Sequence, residues 1–218
     1  MQLTSQISRS LRLLWTGYRP PLFSGVMCMI TKAWFGVLLV SVLCATAVAD
    51  SWVGRYNPVL IYSHDTNYLV RIEPSKPSVG NAHFAQAHFY VRSEKSDNYE
   101  KYQSVALENP IAPGDAVISN SGELVTFDNW GALGYEQVVV LYSKSGSVLA
   151  SYDLSDLFSP AEIAKIPTTE TSRWWRDRPR PTDIGDGEVW ISLAKSEDVL
   201  VFKLSNGSFC RGSRDEGC

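Results

Sequence analysis

From Pro58 to Phe209 the chain is a succession of short runs of Val, Ile, Leu, Tyr and Phe, cut by Gly, Asn, Asp and Ser. That spacing is the one expected of antiparallel strands joined by tight turns, and it predicts an all-β fold. The clearest block runs Asp115–Gly122, Glu123–Asp128, Gln137–Ser143 and Ser147–Asp153, a four-stranded meander. Asn120-Ser121-Gly122 and Lys144-Ser145-Gly146 supply its hairpin turns, because glycine takes the positive φ such turns need. The longer link, Asn129 to Glu136, reads as a loop.

An earlier stretch repeats the plan: Val59–His64, Asn67–Glu73, Ala87–Arg92 and Glu100–Leu107 match the four strands, with His64-Asp65-Thr66 as the first turn. The offset from Val59 to Ala116 is 57 residues. Gly187–Leu193 and Asp198–Leu204, followed by a turn at Ser205–Ser208, form a shorter third copy. The expectation is two to three antiparallel meanders, each burying an apolar face against the next. A strand ending in Phe127-Asp128, an apolar strand, a Ser-Gly turn and a strand ending in Tyr152-Asp153-Leu154 resemble the blades of NHL-type and related β-propellers, over about residues 58 to 209. Such rings usually have four to eight blades, and this chain has two and a fraction, so a compact pair of sheets, or a homo-oligomer in which several chains complete a ring, is expected here.

One helix is expected, at about 156–166. Ser159-Pro160-Ala161-Glu162 has an N-cap serine, proline at the first helical position and glutamate three residues after the cap. Leu157, Phe158, Ile163 and Ile166 should face the core, Pro167 ends the helix, and Thr168 to Ile184 follows as a polar connector.

The first acidic residue is Asp50; before it stand only the positives Arg9, Arg12, Arg19 and Lys32, around an apolar run from Ala33 that closes with Ala47-Val48-Ala49. Those are the basic, apolar and small-residue regions of a cleavable export signal, with the cut after Ala49 and a working start at Met29. Residues 1–49 are thus read as leader, 50–218 as a single β-repeat domain, exported to the periplasm or the cell exterior without a membrane span. The rival is an uncleaved anchor; lipidation at Cys44 is disfavoured because Leu43 precedes it where a small residue is usual. Of the chain's 20 basic residues, 16 then face 23 acidic ones, net −7. So negative a surface argues against nucleic-acid binding. Cys28 and Cys44 leave with the leader, and the remaining pair, Cys210 and Cys218, suits a disulfide that staples the tail.

Two segments are candidate binding sites. Arg173-Trp174-Trp175-Arg176 opens a run with four arginines around two tryptophans; indole and guanidinium planes grip sugars, anionic polymers or aromatic side chains by stacking. The competing reading anchors one tryptophan in the core and pairs the arginines with carboxylates. The second segment holds Asp128, Trp130, Tyr135 and Glu136 around a glycine-containing loop. Asp128 is either a ligand-orienting or basic group, if Glu136 or a histidine approaches it, or a turn residue spent on the backbone. His83 and His88 point to opposite faces of an extended strand, and Asp183, Asp186 and Glu188 lack the spacing of a calcium loop, so no metal site is expected. Asn206-Gly207-Ser208 reads as a turn rather than a glycan acceptor. No nucleophile elbow, phosphate loop or dinucleotide fingerprint occurs. The expected function is an exported, non-enzymatic β-repeat module that presents its two loops to a protein or glycan, with no cofactor. The alternative is an extracytoplasmic hydrolase using Asp128 with Glu136 or His64.

Overall fold

The computed structural model describes residues 57–75, 84–177, 182–183 and 187–213. The chain divides into two compact units, Met1–Val48 and Ala49–Cys218, and every described residue belongs to the second. The expected leader with its cleavage point, His83, Asp186 and Cys218 lie outside the described residues.

Three four-stranded antiparallel sheets make up the described unit, each in chain order. The first holds β1 (Val59–Tyr62), β2 (Tyr68–Glu73), β3 (Gln86–Arg92) and β4 (Tyr99–Ala106). The second holds β5 (Pro113–Ile118), β6 (Leu124–Asn129), β7 (Val139–Tyr142) and β8 (Val148–Tyr152). The third holds β9 (Thr182–Asp183), β10 (Glu188–Ser192), β11 (Asp198–Lys203) and β12 (Phe209–Ser213). The third meander is therefore complete, where the sequence suggested two strands. Glycine punctuation does what the hairpins require, with φ of +96° at Gly122 and +80° at Gly146. At the last turn Asn206 folds back on itself, its Oδ1 accepting from the Ser208 N–H at 3.0 Å.

The sheets stack with the second in the middle. Its β6 and β7 are buried on both faces. Leu124, Val140 and Tyr142 meet Val70, Ile72 and Phe89 of the first sheet. Val125, Phe127, Val139 and Leu141 meet Val189, Ile191, Leu200 and Phe202 of the third. Alternating side chains on one strand thus feed two cores, which is why every residue of β6 and β7 is buried while burial alternates along β1. Of the first strands, β5 lies beside both β1 and β9.

The helical segment is two single turns, α1 (Leu154–Leu157) and α2 (Pro160–Ile163). Phe158 between them is extended, at φ −138° and ψ 147°. Proline at 160 disfavours helix at Ser159, and the cap there starts a new helix, so one rod cannot run through. Asp153 caps α1, accepting from the N–H groups of Ser155 and Asp156. Leu157 and Phe158 are in the core and Ile163 and Ile166 pack against it, as expected. No helix among the described residues is long and apolar enough to cross a membrane.

Candidate functional site

β6 ends in Asp128 and Asn129, and the following loop returns at Val138 to start β7. Asp128 takes φ +56°, a left-handed backbone that aspartate tolerates better than most residues. Its N–H still donates to the Val138 carbonyl at 2.9 Å. The carboxylate is 2% exposed. Oδ1 accepts from the Gly134 N–H at 2.9 Å and from the Trp175 indole N–H at 2.7 Å. Oδ2 accepts from Arg176 Nε at 3.1 Å.

The two segments singled out in the sequence therefore meet. Trp175 and Arg176 are 3% and 8% exposed, and belong to the same buried cluster as Asp128. Arg176 also lies over the Phe127 ring at 5.3 Å, while Trp175 makes an edge contact with Phe158 at 6.2 Å. An aspartate and an arginine leave water together here because each supplies the other's charge, and three donors fill the carboxylate oxygens. Backbone bonds complete the seam: Arg173 donates to the Leu133 carbonyl at 2.8 Å, and Ala194 to Trp175 O at 3.1 Å. At Gly134 the backbones approach so closely that a Cβ would stand 2.6 Å from Arg173 O. That contact and φ +71° both require glycine.

Outside this seam the picture changes. The Arg173 guanidinium lies 4.6 Å above the Tyr135 ring, both groups half-buried. Trp174, next to the inward Trp175, is 38% exposed. Trp130 is half-buried, its N–H donating to the Ala112 carbonyl at 2.9 Å. Glu136 is exposed and does not pair with Asp128; its Oε2 accepts from Asn129 Nδ2 at 3.2 Å. His64 stands exposed in the β1–β2 turn of the first sheet.

No family model matches the chain, and no curated protein matches it either.

What the residues can do thus rests on their own chemistry. A carboxylate whose oxygens are engaged by an indole, a backbone amide and a guanidinium is a support rather than a base. Arg173, Trp174, Tyr135, Trp130 and Glu136 keep accessible surface, whereas Asp128, Trp175 and Arg176 are buried. The sequence missed Asn109, whose Nδ2 donates to Asp128 O at 3.1 Å and Asn129 Oδ1 at 2.9 Å. It also missed the role of Gly134. Neither has a spacing signal, since both act on residues brought near only by the fold.

Proposed function

We propose that the protein is an exported binding module whose recognition surface is Arg173, Trp174 and Tyr135, taking a protein or glycan partner. The observation that supports it is the division of labour along four consecutive residues: Trp175 and Arg176 are locked inward on Asp128, while Arg173 and Trp174 are held outward beside Tyr135. Planar cationic and aromatic groups fixed on a rigid support lose little side-chain freedom on binding, which favours recognition by stacking. Three stacked meanders whose first strands are neighbours also accord with the propeller-like resemblance. A staple between Cys210, on β12, and Cys218 fits an oxidising destination. Occupancy of the Asp128 oxygens weighs against the hydrolase reading, which needs that carboxylate free for Glu136 or His64.

The test is affinity capture from the periplasm or culture fluid with residues 50–218 as bait, against a bait carrying Arg173→Ala and Trp174→Ala. Both baits should give the same circular dichroism, and the substituted one should lose a reproducible subset of the captured molecules. Identical captured sets would sink the assignment of this surface.

A further inference from the structure

The solvent face of the first sheet carries a cluster unrelated to the seam. Cross-strand pairing sets Arg71 opposite His88, and His88 opposite Ser104. His88 Nδ1 is 2.8 Å from Ser104 Oγ. The other ring nitrogen, Nε2, faces Glu73 Oε1 at 3.6 Å, and Arg71 holds that same oxygen at 3.0 Å. A carboxylate beside Nε2 favours the tautomer protonated there, leaving Nδ1 as the acceptor for the serine hydroxyl. Ser104 is exposed, on a strand at the sheet's edge, so an incoming molecule has open approach. Its backbone N–H donates to the side-chain carbonyl of its neighbour Gln103 at 3.0 Å, a donor that an oxyanion can take over.

We infer that Ser104 is a nucleophile activated by His88, and that it takes acyl groups from activated esters at a site separate from the recognition surface. In the first step His88 Nδ1 accepts the Ser104 hydroxyl proton while Oγ bonds to the ester carbonyl carbon. The bond from that carbon to the alcohol or phenol oxygen then breaks, and the leaving oxygen departs with the proton that His88 returns. Water attacks the acyl-serine in the second step, His88 moving its proton to Oγ, so that ester and water yield acid and alcohol. Glu73 is a positioning residue, setting the ring's tautomer and orientation from the far side.

The probe is p-nitrophenyl acetate, added to the purified full chain, with nitrophenolate release followed by absorbance and the acetylated peptide located by mass spectrometry. The acetyl group is expected on Ser104, and Ser104→Ala should remove both it and the protein-dependent release. His88→Gln should slow release by about a hundredfold, the usual contribution of a positioned base. Glu73→Ala should slow the labelling of Ser104 at unchanged circular dichroism, and Glu73→Asp, which keeps a carboxylate, should recover part of that rate. Acetyl groups found on lysines alone overturn the assignment. So does a His88→Gln chain that keeps its fold by circular dichroism and labels Ser104 at the wild-type rate.

Discussion

Asp128 decides how the loop after β6 and the connector before β10 are held, and its substitution separates support from chemistry. Removing the carboxylate leaves Arg176 charged, buried and without its nearest acceptor. Breaking one partner of a buried pair typically costs about 3–5 kcal/mol, so Asp128→Ala should lower the urea midpoint accordingly. Replacing both residues, as Asp128→Ala with Arg176→Met, removes the orphaned charge and should recover a large part of that loss. Equal destabilisation by the single and double substitutions would show that the pair is not the source of the effect. The sequence displayed Asp128 as unusual but not its partners, because Trp175 and Arg176 lie 47 and 48 positions away and no periodicity links them. Conversely, the reading of one tryptophan as core anchor was available from composition alone; which of the pair turns inward was not.

Between α2 and the edge strand β12, one arginine does the joining. Arg211 donates to Glu162 at 2.6 Å and to Asp198 at 2.6 Å, and lies over the Phe158 ring at 5.8 Å. The hydrogen bond from the Ser159 hydroxyl, then Arg211, then the Ser159 N–H hold the Glu162 carboxyl down at about 2, from its ordinary 4.5. A group whose folded value lies below its unfolded value adds stability above the unfolded value and loses it as pH falls through the folded one. Glu162 is exposed, so the effect is modest. Thermal midpoints should fall on acidification from about 4.5 to about 2, and Glu162→Gln should flatten that part of the profile. A profile unchanged by the substitution would remove Glu162 from the acid response. Strands with alternating or continuous apolar residues were legible in the sequence to within a few positions. β9 and β12 were not: the first is two residues long, and the second, Phe-Cys-Arg-Gly-Ser, has little strand propensity and forms because β11 offers it a ladder.

At the scale of the molecule, the middle sheet ties the outer two into one unit, since each of its central strands contributes to both cores. Loss of either core should therefore be felt throughout. Phe127→Ala should cost about 3–5 kcal/mol, and fluorescence and far-ultraviolet dichroism should report the same shifted transition. Two separated transitions would mean that the first sheet folds without the third. The inward-pointing Asp128 has a further consequence, one for the growing chain. Its tryptophan and arginine partners are made 47 and 48 residues later. An emerging polypeptide halted before them has neither the partners of the Asp128 carboxylate nor the third sheet that covers Val125, Phe127, Val139 and Leu141. Such a species is the one most prone to stick to its neighbours, and any helper that escorts this protein has to shield it until the connector swings across.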